Sequence, residues 1–293
     1  MTGPALSSPL VSTQWLADYL GTDNLVVVDA TVLPFVTPAG KSGLVSGHEQ
    51  YLVDGHIRGA VFADLLEEFS DQGARVPFTH QGADEFALSV GALGIDNDTA
   101  VVIYDRSLGQ WASRLWWLFR ANDYDRVAVL DGGYTKWIAE DRETDVGHVE
   151  PNRAVFTATP RPELWVTSAD LEAVLDGTET AALVCALPPK EFSGEEGGRA
   201  RKGHIPGSSN VPVARLINRE TNAFLREPEL REAFGSLVDE PRVVAYCALG
   251  IAATADALAL TVLGAKNVAI YDGSMFEWSA NENLPVKSLV EGS

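Results

Sequence analysis

The sequence predicts two tandem three-layer α/β/α domains, each on a mostly parallel central sheet, and three observations carry that prediction. At roughly 100–200 residues per domain, the 293 residues make two domains. The chain also repeats itself. Gly55-His-Ile-Arg-Gly-Ala60 returns as Gly203-His-Ile-Pro-Gly-Ser208, Ala100-Val-Val-Ile-Tyr-Asp105 as Arg242-Val-Val-Ala-Tyr-Cys247, and Asp131-Gly-Gly-Tyr-Thr-Lys-Trp137 as Asp272-Gly-Ser-Met-Phe-Glu-Trp278. The offsets are 148, 142 and 141, in the same order. Third, each half alternates short β-branched runs bounded by Asp and Gly with longer segments of helical period.

In the first half the helical period predicts a helix near Thr13–Leu20, and a Leu-Val-Val-Val run predicts a strand near Leu25–Val28. A strand near Ala60–Ala63 follows the first Gly-His-Ile motif, then a helix near Ala83–Leu93. Next come a strand near Ala100–Tyr104, a helix near Gln110–Ala121, a strand near Val127–Leu130 and a helix near Tyr134–Glu140. The second half predicts strands near Ala182–Cys185, Asn210–Val211, Arg242–Tyr246 and Val268–Tyr271. Its helices fall near Ser168–Leu175, Glu229–Leu237 and Ala252–Leu263. Strand runs this apolar belong to a sheet covered on both faces. Pro151, Pro160 and Pro162 punctuate a linker around Asp145–Pro162, so the expected domains are residues 1–147 and 160–293.

Composition narrows the function. With 46% apolar and 22% charged residues the chain can bury a full core. Its 22 basic and 41 acidic residues give a charge of −19, a field that repels phosphate backbones and anionic lipid surfaces. Neither nucleic acid nor a membrane is an expected partner. The halves differ: 9 basic and 22 acidic residues before position 151, 13 and 19 after it, so the second is less hostile to an anion. The start of the chain lacks a basic region and a long apolar run, and nowhere do about 18 apolar residues occur together; a cytoplasmic protein is expected. Two cysteines, Cys185 and Cys247, form neither a disulfide framework nor a metal-ligand spacing.

Cys247 is the position where chemistry is expected. It ends a strand and precedes Ala248, Leu249, Gly250 and Ile251, with Ala252 and Ala253 opening an Ala-rich helix. In open α/β sheets ligands bind beyond the carboxyl ends of the strands, where turn amides and a helix N-terminus make an anion-binding concavity. The same field favours thiolate over thiol, which makes a cysteine there a nucleophile. A packed strand-end thiol is the competing reading, but the matching residue of the first half is Asp105, and a duplicated core position should be apolar in both copies. The pattern looks like one copy holding a site that the other has lost. A cysteine phosphatase or arsenate reductase would carry an Arg six residues on to clamp the oxyanion; Ala253 stands there instead. Transfer of a small group through a cysteine intermediate is the better fit.

These residues carry a resemblance. The chain resembles the tandem two-domain rhodanese-type sulfurtransferases, the thiosulfate and 3-mercaptopyruvate sulfurtransferase family, over nearly its whole length. Beyond the repeated motifs, the matching elements are Ser12-Thr-Gln-Trp-Leu16, Val28-Asp-Ala30, Ala112-Ser-Arg-Leu-Trp-Trp117 and Gly203-His-Ile-Pro-Gly-Ser-Ser-Asn-Val-Pro212. The resemblance implies a double displacement. Cys247 takes a sulfane sulfur from a small anionic donor such as thiosulfate or 3-mercaptopyruvate, becomes a persulfide, and passes the sulfur to cyanide or a thiol. No metal or organic cofactor is implied. Backbone N–H groups of residues 248 to 253 would hold the outer sulfur or the donor's anionic end, and the first domain, with Asp105, would be silent.

The chain departs from the family at several places. Its loop has Ala248 and Leu249 where thiosulfate-selective members carry a basic residue and mercaptopyruvate-selective ones read Cys-Gly-Ser/Thr-Gly. Two substrate arginines are replaced, by Leu187 in Cys185-Ala-Leu187 and by Ser193 after Phe192. Arg199, Arg201 and Lys202 could supply the missing charge or could form a solvated loop cluster. Cys185 ends a neighbouring strand and could be a second, resolving thiol or a buried one. His56 and His204 recur at matching positions, which points to a repeated structural role. His48 and His80 fall in polar loops without a nameable partner. Trp111, Trp116, Trp117, Trp137 and Trp278 lie on apolar faces and are expected in packing. The competing function is a degenerate member that binds an anion, a persulfide carrier or a protein without turnover. Two fused halves can cover each other's apolar faces, so a monomer is expected.

Overall fold

The computed structural model describes residues 3–40 and 42–290. Cα packing divides it into two units. The first comprises residues 1–72, 80–160 and 218–223, and the second residues 73–79, 161–217 and 224–293.

The first unit runs β1 (Leu10–Val11), α1 (Thr13–Tyr19), β2 (Leu25–Asp29), β3 (Val32–Val36), β4 (Ser42–Ser46), α2 (His48–Asp54), β5 (His56–Ile57), β6 (Val61–Phe62), α3 (Ala83–Ala92), β7 (Ala100–Tyr104), α4 (Gln110–Ala121), β8 (Val127–Leu130), α5 (Gly133–Ala139) and β9 (Thr144–Asp145). The second runs β10 (Trp165–Val166), α6 (Ser168–Leu175), β11 (Ala182–Cys185), α7 (Pro189–Ser193), β12 (Ser209–Asn210), α8 (Glu227–Phe234), β13 (Val243–Tyr246), α9 (Ala252–Val262), β14 (Val268–Tyr271) and α10 (Ser274–Ala280).

Each unit holds a five-stranded sheet, ordered β1-β8-β7-β2-β6 in the first and β10-β14-β13-β11-β12 in the second. Every neighbouring pair is parallel. Strand by strand the two orders are the same, so the sequence repeat is a repeat of topology. The central strands β7, β8, β13 and β14 are buried at every residue, because crossover helices cover both faces. On one face of the first sheet Leu16 of α1 and Tyr134 and Trp137 of α5 pack on Val27, Val102 and Ala128. Leu171 of α6 and Met275 and Trp278 of α10 do the same on Leu183, Val244 and Ala269. The helices α4 and α9 take the other faces.

The repeated motifs have repeated physical jobs. Tyr104 and Tyr246 end their strands, and their hydroxyls accept the Ile57 and Ile205 amides at 3.2 and 3.0 Å. At Gly203, φ is +118° and a Cβ would stand 2.2 Å from the Lys287 carbonyl; at Gly55, φ is +96° and a Cβ would meet the Asp145 carbonyl at 2.9 Å. Only glycine passes so close to another backbone in that conformation. His56 stacks on Tyr51 and lies against the Ile57 and Gly147 carbonyls; His204 stacks on Phe192 and meets its carbonyl at 2.8 Å. Trp137 and Trp278 each donate an indole N–H at 2.8 Å to a carbonyl six or seven residues on.

Several elements lie outside the sequence reading. The two-residue edge strands β1 and β10 are too short to show a period, and Pro34 masks β3 as a strand in the sequence although it pairs in register with Leu44 of β4. The expected linker is not free chain in its first part: the Ala154 amide bonds the Gly91 carbonyl at 2.9 Å, and Phe156 packs edge-on against Phe86, Phe119 and Tyr124. Residues 148–160 thus pack with the first unit. No helix of the described residues is long and apolar enough to cross a membrane.

Candidate active site

Cys247 stands one residue beyond β13, 3% exposed, at the carboxyl end of the sheet. Four residues, 248–251, turn the chain into α9, with Gly250 at φ +75°. The N-terminus of α10 fixes this turn: Ser274 Oγ accepts the Cys247 amide at 3.1 Å, and the Met275 and Phe276 amides donate at 3.0 Å to the Cys247 and Ala248 carbonyls. Ser274 itself sits at φ +48°, a conformation that costs an L-residue about 1–2 kcal/mol. Its hydroxyl also donates to the Tyr271 carbonyl at 2.9 Å.

The first unit shows what such a turn holds. Four residues, 106–109, separate Asp105 from α4, and the Tyr134 amide bonds the Asp105 carbonyl at 3.0 Å, as Met275 does for Cys247. The Asp105 carboxylate is fully buried and accepts four amides: Ser107 at 2.7 Å and Gly109 at 3.1 Å on one oxygen, Trp111 and Ala112 at 2.9 Å on the other. Burial raises its pKa and the four donors pull it back. The turn is an anion cradle whose anion is part of the chain. The two turns are equal in length but not identical, because the left-handed glycine is 109 in one and 250 in the other. The helices α4 and α9 start at the same offset, so their first-turn amides correspond.

Comparison with known proteins agrees with the repeated fold. The rhodanese-like domain family matches residues 12–140 and again 167–281. The chain belongs to the rhodanese family. It is 32% identical over 283 residues to the 3-mercaptopyruvate sulfurtransferase of Escherichia coli K12, covering 94% of this chain and 97% of that protein. It is 34% identical over 293 residues to the thiosulfate sulfurtransferase of Bos taurus, covering 95% and 94%. The crystal structure of SseA from Escherichia coli, described as a 3-mercaptopyruvate enzyme of rhodanese fold, superposes with a TM-score of 0.79 at 29% identity, over 92% of this chain and 99% of that one.

In this rhodanese the positions expected to bear substrate arginines have other work. Leu187 is buried in the core of the second unit. Ser193 Oγ donates to the Lys190 carbonyl at 3.0 Å and meets a Glu195 carboxylate oxygen at 3.1 Å. Arg201, offered by the sequence as an anion contact, is committed elsewhere: it donates to the carbonyls of Ser279, Leu284, Trp278 and Asn281 at 2.6–3.2 Å, closing the carboxyl end of α10. Arg199 pairs with Glu191 at 2.8 Å, and its Nε and Nη2 have no hydrogen-bond partner. It lines a cavity of 730 Å3 in the second unit with Arg75, Phe276, Glu277 and Asn281, and the Phe276 amide ties that wall to the Cys247 turn.

Cys185 ends β11 as the register partner of Tyr246. It is fully buried, and burial pushes its thiol up to about 12. Two residues escaped the sequence reading altogether. Ser274 was one small residue in a repeated motif. Asp256, in the first turns of α9, is fully buried with neither carboxylate oxygen hydrogen-bonded, and burial alone raises its pKa far above the ordinary value.

Proposed function

We propose that the protein is a sulfurtransferase that moves a sulfane sulfur from a small anionic donor, thiosulfate or 3-mercaptopyruvate, through a persulfide on Cys247 to cyanide or a thiol. The observation that carries this reading is the cradle in the first unit. There a carboxylate at the position of Cys247 gathers four backbone amides. A persulfide anion on Cys247 asks for donors of the same kind, and the matching positions are the amides of Leu249, Ile251 and Ala253; the fourth, the Thr254 amide, donates to the Ile251 carbonyl at 3.0 Å. Backbone dipoles at the carboxyl end of the sheet and the head of α9 stabilise negative charge that develops on the transferred sulfur, without reorganisation during the step. Ser274 is a positioning residue: by holding the Cys247 amide it sets where the sulfur stands.

The donor's anionic end needs a cation, and with Leu187 and Ser193 at the usual places, Arg199 is the candidate in the second unit. Its two unpartnered nitrogens and the adjoining cavity support that role, with Arg75 adding charge. The first domain is catalytically silent, because a carboxylate at Asp105 has no sulfur chemistry. The working form is a cytoplasmic monomer. A paired assay tests the reading: Arg199→Ala should raise KM for the donor about tenfold or more, as expected when a charge-assisted contact worth about 1.5–3 kcal/mol is lost, with kcat little changed. An unchanged KM would remove Arg199 from the site.

A further inference from the structure

We propose that Glu191 is a positioning residue for Arg199, and that the pair forms a carboxylate clamp which makes a carbon-chain donor such as 3-mercaptopyruvate, rather than thiosulfate, the source of the sulfur. This rests on the sulfur-transfer reading above for the identity of the ligand, whereas the clamp itself stands on geometry within the second unit.

The guanidinium of Arg199 is used on one side only. Its Nη1 meets Glu191 Oε2 at 2.8 Å. Nε and Nη2, the nitrogens of the other edge, are buried and have no hydrogen-bond partner among the described residues. Their N–H bonds run parallel, the arrangement that takes both oxygens of a carboxylate at once. A buried guanidinium edge with nothing to donate to is unfavourable, so it marks a place where an acceptor belongs. Arg199 is on the wall of the 730 Å3 cavity, and Glu191 stands behind it, off that wall.

Neighbouring contacts fix the pair. Glu191 lies in α7, and the loop after it is closed by the Glu196 amide on the Lys190 carbonyl at 3.0 Å and by the Lys190–Glu196 ion pair at 2.8 Å. On the other side of Arg199, the bonds of Arg201 to carbonyls at the carboxyl end of α10 anchor the chain. Gly197, at φ +128°, lies beside the unmatched edge, where a Cβ would stand 3.4 Å from Nη2; glycine leaves that approach open.

The rest of the cavity indicates what the carboxylate is attached to. Val76, Ala200 and Phe276 give it an apolar lining and Arg75 a second cation, while Glu277, the acid on that wall, accepts the Tyr271 hydroxyl at 2.6 Å. The Phe276 amide, on the Ala248 carbonyl at 3.0 Å, joins this wall to the Cys247 turn. The turn itself, residues 248–253, has no charged side chain. Thiosulfate carries its charge on oxygens of the atom bonded directly to the transferred sulfur, so its cation would have to stand at the turn. 3-Mercaptopyruvate carries its carboxylate at the far end of a carbon chain, which lies on an apolar wall and meets a cation beyond the turn. Positive charge placed on the wall and not on the turn favours the second donor.

Glu191 has two separable effects. Its hydrogen bond orients the fork, and its charge weakens the pull on an anion. Glu191→Gln keeps the first and lifts the second; Glu191→Ala loses the orientation. Arg199→Lys keeps the charge and loses the fork.

The test uses the full chain and pyruvate, the part of 3-mercaptopyruvate that remains when its sulfur has passed on. Pyruvate is titrated calorimetrically into wild type and the three variants, and KM is measured for both donors with cyanide as acceptor. Arg199→Lys should weaken pyruvate about tenfold and Glu191→Ala about threefold or more, while Glu191→Gln binds within about twofold of wild type or tighter. KM for 3-mercaptopyruvate should follow the same order, in KM rather than kcat, and should rise in Arg199→Lys at least about fivefold more than KM for thiosulfate. Equal rises for both donors overturn the donor assignment. Glu191→Gln as weak as Glu191→Ala overturns the positioning role. Wild type that binds no pyruvate overturns the clamp, a result that holds even if a variant fails to fold, and sulfur gained by Cys247 from thiosulfate in that same protein leaves the transfer reading standing. Pyruvate bound in the expected order, with no transfer from either donor, overturns the transfer reading and the donor assignment but not the clamp.

Discussion

Removing the carboxylate of Asp105 should destabilise the first unit sharply and turn its cradle into a site for free anions. Asp105→Ala leaves four amides without the acceptor they meet at 2.7–3.1 Å. Hydrogen bonds to a charged group contribute about 1.5–3 kcal/mol each, which for four sets an upper range near 6–12 kcal/mol. Relief of the buried charge and entry of water offset a large part, leaving about 3–5 kcal/mol. At about 2–4 °C per kcal/mol for a unit of this size, its calorimetric transition should fall by roughly 10 °C. Added sulfate should restore part of the loss, about 2.7 kcal/mol at a hundredfold excess over its Kd, and should do so in the variant far more than in wild type. The experiment is scanning calorimetry of the full chain with and without sulfate. A variant melting within about 2 °C of wild type, or indifferent to sulfate, would refute the cradle and with it the main support for the Cys247 site.

Three other perturbations follow from individual contacts. Asp256→Leu should stabilise the second unit by about 1–3 kcal/mol, since an unpartnered buried carboxyl is replaced by an apolar group. Because burial raises the folded pKa of Asp256, the stability of its neutral form is complete below the ordinary carboxylate value and is lost as pH rises through the folded value. The Tm advantage of the variant should therefore grow from pH 5 to pH 9; a flat difference would contradict this. Ser274→Ala strips the Cys247 amide of its acceptor, an error of about 1–3 kcal/mol. It should slow sulfur uptake by Cys247 about tenfold or more, one decade per 1.4 kcal/mol, read as the rate of mass gain; uptake at the wild-type rate would show that the hydroxyl does not position the sulfur. Arg201→Met should cost the second unit about 3 kcal/mol through four unpaired carbonyls, measured by denaturant unfolding. A loss under about 0.5 kcal/mol would show that water serves those carbonyls equally well.

Much of the fold was legible because the parts that fix it are local and doubled. Runs such as Val101-Val-Ile103 and Val243-Val-Ala245 are buried on both faces of a sheet, so they read as unbroken apolar stretches, and their repetition gave the two-unit plan. Cys247 was legible as a candidate site because strand, turn and Ala-rich helix are consecutive in sequence, and because Asp105 stood in its place in the other copy. The function of that aspartate was not legible, since its four donors become visible only once the turn is folded. Arg201 read as a free cation, but its partners lie 77 to 83 residues away; no local pattern reports such contacts. Asp256 is one acid in an otherwise apolar helical run, and its orphaned state depends on packing from every side. The short edge strands β1 and β10 have two residues each, too few for a period to form.

The central claim is that sulfur passes through Cys247, and a paired transfer assay tests it most directly. Wild type and Cys247→Ser, both confirmed as folded, are given thiosulfate or 3-mercaptopyruvate with cyanide, and thiocyanate is measured. Turnover with at least one donor, absent in Cys247→Ser, is the result this account predicts. Turnover that survives in Cys247→Ser, or none with either donor from folded wild type, would contradict it; the latter outcome would favour an anion-binding or persulfide-binding member of the family over an enzyme.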